Sequence, residues 1–210
     1  MLEGIEVLTH SSIRIAKKKN IYIDPFKIEK DYKDADLVLC THSHYDHFSK
    51  EDITRVLKKD TIILVTEDVK KEAMFLGIDP RNVISVKPYE EYVYEGIVIQ
   101  TIPAYNKHKE FHPKANKWVG YIIDIDGVKY YIAGDTDATK EAASVECDVA
   151  FLPVGGTYTM NYLEAANLAI KLNPQYVIPT HYGSIVGNKE DGMLFKSSLS
   201  KKIKCEILMK

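Results

Sequence analysis

Thr41-His-Ser-His-Tyr-Asp-His47 packs three imidazoles and a carboxylate into the six positions His42–His47, directly behind the apolar run Asp36–Thr41. Such a short apolar run suits a buried strand. In extended chain, residues two apart point the same way, so His42 and His44 can grip one ion. Asp46 and His47 follow as the chain turns toward Ser49-Lys-Glu-Asp52, a helix cap with an acid three residues on, and can face a second ion nearby. Neutral imidazole together with a carboxylate suits zinc, iron or manganese. A polar surface loop is the plain alternative, but such loops rarely collect this many histidines behind a core strand. The metal reading is the stronger one.

Outward from the cluster, Ile5–Leu8, Ser12–Ala16 and Ile21–Ile23 read as strands, with Lys17–Asn20 as a hairpin turn. Ile53, Val56 and Leu57 recur at helical spacing, Thr61–Val65 is strand-like, and Thr66 is placed to cap a helix running to Gly77. Tyr92–Tyr94 and Ile97–Ile102 flank Glu95-Gly96, while Val119–Ile125 and Val128–Ala133 flank Asp126-Gly127, a strong hairpin signal. The last third alternates. Strand Val149–Val154, a helix from about Asn161 to Leu172, strand Tyr176–Pro179, a helix near Asp191–Leu199 and strand Ile203–Leu208 follow in turn. Asn161 and Glu164 have capping spacing, and Leu163, Ala166 and Ile170 predict one buried helix face. Two β-rich halves carrying helices are satisfied by two sheets packed face to face with helices outside. The expected fold is a mixed α/β, four-layer αββα sandwich formed as a single domain of residues 1–210, since no repeat or Pro/Ser-rich linker interrupts the chain.

Composition narrows the function classes. With 45% hydrophobic and 28% charged residues, the 210-residue chain is an ordinary globular protein, which excludes disorder and fibre. A net charge of −2 argues against a whole-surface grip on nucleic acid, leaving only a local basic groove. No apolar run has the length of a membrane span, and Met1–His10 lacks the pattern of a signal peptide, so no membrane is expected and the expected compartment is the cytoplasm. Cys40, Cys147 and Cys205 are far apart and outside any C-x-x-C spacing, so a cysteine zinc site is not supported. Cys40 and Cys205 stand in β-like runs that suit buried thiols.

The H-x-H-x-D-H pattern of His42–His47 resembles the signature of the metallo-β-lactamase superfamily. Tyr131–Asp137 is similar to that family's G-D-T segment, whose Asp bridges two metals and maps onto Asp135; Ile178–Gly183 is similar to its final metal-histidine segment and gives His181. Pro103–Asn106, Phe111–Lys114 and Pro153–Thr157 resemble the branch of ascorbate-phosphate lactonases and metal-dependent hydrolases. The resemblance implies one or two divalent ions, zinc or manganese, on His42, His44, Asp46, His47, Asp135 and His181, with catalytic roles for Asp46, Asp135 and His181. Alone, Asp135 would read as a hairpin-end residue bound to its own backbone and His181 as a satisfied strand-end histidine; beside the cluster, ligand roles are favoured.

One departure stands out. The family usually supplies a further histidine where this chain has Asn106, and an amide oxygen is a weaker zinc ligand that favours harder ions. Either His108 or His112 swings in, or the first metal site is incomplete, or His112 binds substrate beside Lys114; these readings stay open. Asn106, His112, Thr157 and Tyr158 are the candidate substrate-binding residues. The last two lie in the glycine-containing loop Pro153–Met160, whose backbone amides can receive a phosphate or carboxylate, a tight turn being the alternative. His10, Ser11 and Ser12 end the first strand, where the resembling branch carries polar residues near its site; core or turn roles are equally expected.

The expected function is hydrolysis of a small anionic lactone, ester or phosphodiester by a metal-bound hydroxide. The alternatives are a manganese-dependent phosphodiesterase or nuclease and a non-catalytic metal-binding protein of the same fold. The expected partner is a small molecule; nucleic acid is not favoured, and a homo-oligomer is compatible with the sequence.

Overall fold

Short apolar runs, alternating in some strands and unbroken in others, form the strands of the computed structural model, which describes residues 1–209. The chain divides into a first unit, Met1–Val86, and a second, Lys87–Leu208. The first unit runs β1 (Ile5–Thr9), β2 (Ser12–Ala16), β3 (Asn20–Ile23), β4 (Ala35–Leu39), α1 (Lys50–Val56), β5 (Leu57–Thr66), α2 (Lys70–Ala73) and β6 (Val83–Val86). Its six strands lie in sequence order, the first three antiparallel and β3 to β6 parallel. Tyr22, Val38, Ile53, Val56, Ile63, Val65 and Ala73 form a continuous core in which α1 and α2 cover one face of the sheet. Parallel strands buried on both faces need unbroken apolar runs, as Ile21–Ile23 and Leu37–Leu39 supply.

Two expectations shift here. The run Asp36–Thr41 leaves the ladder early, because Thr41 gives its N–H and hydroxyl to the Asp24 carboxylate. Thr66 makes no side-chain cap, and the helix expected to reach Gly77 is a 3-10 turn, Glu67–Val69, followed by the four residues of α2. Only Val69, Ala73 and Leu76 of this stretch are buried while Met74 and Phe75 are exposed, too narrow an apolar stripe to carry a longer helix.

The second unit contains β7 (Glu91–Tyr94), β8 (Ile97–Pro103), β9 (Val119–Ile125), β10 (Val128–Ile132), β11 (Val149–Pro153), α3 (Tyr162–Leu172), β12 (Tyr176–Thr180), α4 (Asp191–Ser198) and β13 (Lys204–Cys205). The sheet order is β13-β12-β11-β10-β9-β8-β7, antiparallel from β7 to β10 and parallel from β10 to β13. Glu95-Gly96 and Asp126-Gly127 both take positive φ at each central residue, the turn whose twist matches a hairpin. Asn161 and Glu164 close a reciprocal capping box on α3. The buried face of α3 is Ala165, Ala166, Leu168 and Ala169, whereas Leu163 and Ile170 are 53% and 45% exposed. The helix is rotated from the expected face because three small alanines let it lie close on β11 and α4. Only Lys204–Cys205 of the run Ile203–Leu208 is strand, on the sheet edge.

Parallel strands place the loops that leave their carboxyl ends at one end of the sheet. In the first unit His42 follows β4; in the second, Asp135 follows β10, Gly155 follows β11 and His181 follows β12. No helix among the described residues is long and apolar enough to cross a membrane.

Candidate metal centre

In the first unit, the His47 and Phe48 N–H groups both donate to the His44 carbonyl, at 2.9 and 2.8 Å, curling the loop before Ser49 caps α1. This curl gathers the side chains. His42 Nε2 lies 3.1 Å from His44 Nδ1, and the His42 and His47 ring centroids are 4.0 Å apart. Asp46 Oδ2 is 3.5 Å from His47 Nε2 and 3.2 Å from Nε2 of His10, which is fully buried at the β1–β2 turn.

Behind them stands Asp24. Its carboxylate accepts from the Thr41 N–H (2.8 Å), the Thr41 hydroxyl (2.7 Å) and His47 Nδ1 (2.7 Å). Burial pushes the Asp24 carboxyl up, against the opposing pull of His47 and Thr41. With the proton kept on Nδ1 and donated as a hydrogen bond to Asp24, the His47 Nε2 lone pair faces Asp46, the tautomer a metal ligand needs.

In the second unit, Asp135 Oδ2 lies between two imidazoles, 3.1 Å from His112 Nε2 and 3.0 Å from His181 Nε2. His181 takes a left-handed φ of 57°, and Gly155 makes room for it: a Cβ there would stand 2.1 Å from the His181 carbonyl oxygen. His112, also left-handed at φ 58°, is held from Asn106. The Asn106 N–H donates to the His112 carbonyl at 2.9 Å, and its Nδ2 donates to the carbonyls of Phe111 (2.9 Å) and Tyr158 (2.7 Å). The loop is further tied by Lys109 to Asp137 and by Lys114 to Glu141 (2.8 Å), which also accepts from the Tyr105 hydroxyl at 2.9 Å. Burial would raise the Glu141 carboxyl, but Lys114, its backbone and Tyr105 hold it down to about 2.

The donor set fits a divalent metal. Bonds of ~2.0–2.1 Å in a tetrahedral shell put neighbouring ligand atoms about 3.3 Å apart. The pairs His42–His44, His10–Asp46, Asp46–His47, His112–Asp135 and Asp135–His181 each approach to 3.0–3.5 Å. Thiolates do not enter: burial pushes Cys147 and Cys205 up to about 12 and raises Cys40 as well.

Each residue singled out in the sequence has a definite place. His42, His44, Asp46 and His47 contact one another in the first unit; Asp135 meets His181 and His112 in the second. His108 is exposed. Asn106 is buried with its donors committed to loop carbonyls. Thr157 lines a cavity of about 330 Å³ with Gly155, Gly156, Asn161 and Asn188. The Tyr158 ring meets Phe111 edge-on at 4.6 Å. His10, for which a place near the site and a core or turn role were equally expected, stands against Asp46, while Asp24 went unassigned in the sequence. Asp24-Pro25 directly follows the strand Ile21–Ile23, and that position at a buried strand end is the only signal the sequence carries for it.

A family model described as a β-lactamase superfamily domain matches residues 4–181. The chain is 30% identical to a UPF0173 metal-dependent hydrolase of Thermococcus onnurineus, over 97% of this chain and 95% of the relative. A UPF0173 metal-dependent hydrolase of Pyrococcus furiosus is 31% identical, with the same shares of each chain covered. Among solved structures, a Parabacteroides distasonis protein titled as a candidate metal-dependent hydrolase superposes with a TM-score of 0.84 at 31% identity, covering 98% of this chain and 93% of its own. Igni18, a metallo hydrolase from Ignicoccus hospitalis, shares the fold at a TM-score of 0.79 and 24% identity, covering 98% and 94% of the two chains. Histidine–carboxylate clusters, two sheets with four helices and these relatives agree: the chain belongs to the metallo-β-lactamase superfamily, as a metal-dependent hydrolase of the UPF0173 group.

Proposed function

We propose that this metal-dependent hydrolase opens a small anionic lactone, ester or phosphodiester, using one or two zinc or manganese ions held by His42, His44, Asp46, His47, Asp135 and His181. The observation that carries the reading is the donor spacing, near that of one coordination shell in each cluster. His112 is assigned as the further imidazole, because its Nε2 meets the same Asp135 oxygen as His181. When bound, such an ion brings the pKa of a coordinated water toward neutrality and polarises the scissile oxygen.

The chain's own residues do the rest. Asp24 favours the His47 tautomer with its proton on Nδ1, and Asp135 Oδ2 stands within 3.1 Å of the Nε2 atoms of both His112 and His181. Asn106 holds the loop that presents His112. An anionic substrate is supported by Lys107 and Lys117, exposed lysines of residues 107–117, whereas Lys109 and Lys114 are ion-paired with Asp137 and Glu141. A small one is supported by the cavity of about 330 Å³ beside the strand ends of β11 and β12. A cytoplasmic location belongs to the same proposal.

The test is metal analysis of purified protein alongside a screen of a lactone, an aryl ester and a bis-aryl phosphodiester with zinc and with manganese. Turnover of one class, abolished in Asp135→Ala, is the expected result. Protein that retains no divalent metal, or that turns over none of the three, would overturn the reading.

A further inference from the structure

His10 stands at the end of the first strand, where the sequence left a place near the site and a core or turn role open; it is fully buried and its Nε2 stands 3.2 Å from Asp46 Oδ2. Its ligand atom and those of Asp46 and His47 all lie within 4.8 Å of one another. Asp46 Oδ2 is thus flanked by two imidazole nitrogens, His10 at 3.2 Å and His47 at 3.5 Å. The backbone is arranged to allow this. His10 takes a φ of 49°, the left-handed region in which histidine is enriched among non-glycine residues. Its ring is fixed edge-on against Phe26 and His47, with both centroids at 6.2 Å.

We infer that His10 is a third protein ligand to the ion held by Asp46 and His47. The first unit by itself then supplies two histidines and one carboxylate, a donor set suited to zinc, iron or manganese. This inference rests on the metal reading above. The plain alternative is that His10 only hydrogen-bonds Asp46 and orients its carboxylate.

The two are separable in metal-free protein whose fold is checked by circular dichroism. Zinc and cobalt(II) are titrated against a competing chelator in wild type, His10→Ala and His10→Gln. Loss of a ligand should weaken one ion by at least about tenfold, leave the other unchanged and alter the visible cobalt spectrum. In cobalt-loaded protein, one paramagnetically shifted imidazole N–H present in wild type should be missing from His10→Gln, which keeps much of the side-chain volume if the alanine variant does not fold. Wild-type affinity and an unchanged cobalt spectrum in both variants overturn the inference. So does weaker binding with the full wild-type set of shifted protons, which leaves His10 as a residue that orients Asp46. A wild type that takes up no ion defeats the metal reading itself.

Discussion

Asp24 accepts three hydrogen bonds while wholly buried, two from Thr41 and one from His47 Nδ1. Its effect on a metal therefore passes through the His47 ring. Asp24→Asn keeps the shape but weakens the charge-assisted bond to His47, and metal affinity should fall about 10–100-fold in chelator competition. Unchanged affinity would mean that packing alone orients the ring. Legibility follows the same logic. The cluster His42–His47 was readable as a candidate site because it is local, and Asp135 and His181 because each ends a strand. Asp24 was not, since the contact that gives it a role joins positions 24 and 47 across the sheet. The choice between Asn106 and His112 was open for a similar reason: a backbone bond from Asn106 N–H to the His112 carbonyl closes the loop and brings position 112 back to Asp135. Asn106→His discards the two amide bonds to Phe111 and Tyr158. It should weaken metal binding rather than tighten it, as His112→Ala should; a tighter equivalent in Asn106→His, by the same titration, would restore position 106 as the ligand position.

Among the elements, both hairpins and the capped helix α3 were legible from turn and cap residues, which act within a few positions. The rotation of α3 and the shortness of α2 were not, because both depend on what the helix meets rather than on its own period. The loop that carries His112 shows how such tertiary contacts hold a functional segment. Lys114 and Tyr105 converge on Glu141, and although burial opposes it, they keep that carboxyl near 2 against an ordinary 4.5. The folded pKa lies below the unfolded one. The stability from this latch is therefore complete above an ordinary 4.5 and is lost as pH falls from there through about 2. Glu141→Gln removes the titration, so its thermal stability should fall less steeply than wild type over that window. Metal-free protein gives the clean comparison, and parallel curves for the two proteins would show that the latch contributes nothing.

At the scale of the whole molecule, the two units bury imidazoles and carboxylates that neither core needs for packing. Asp46, His47, His112, Asp135 and His181 are all nearly inaccessible. Polar groups gathered in this way cost desolvation, and a bound cation offsets it. An ion that binds the native chain and not the unfolded one adds RT ln(1 + [L]/Kd), about 2.7 kcal/mol at a hundredfold excess over Kd. For a chain of this length each kcal/mol moves the melting point by roughly 2–4 °C, so removing the metal should lower it by about 5–10 °C. Zinc or manganese added back should restore the loss in wild type. Asp135→Ala, which lacks the oxygen that meets both His112 and His181, should show a smaller response. A second handle comes from concentration, because a linked ion raises the melting point in proportion to the logarithm of its excess. Calorimetric scans over a series of metal concentrations read that slope directly. A melting point that ignores both chelator and added metal, in protein shown by analysis to carry the ion, would mean that the ion binds folded and unfolded chains alike and that the buried donors are not its site.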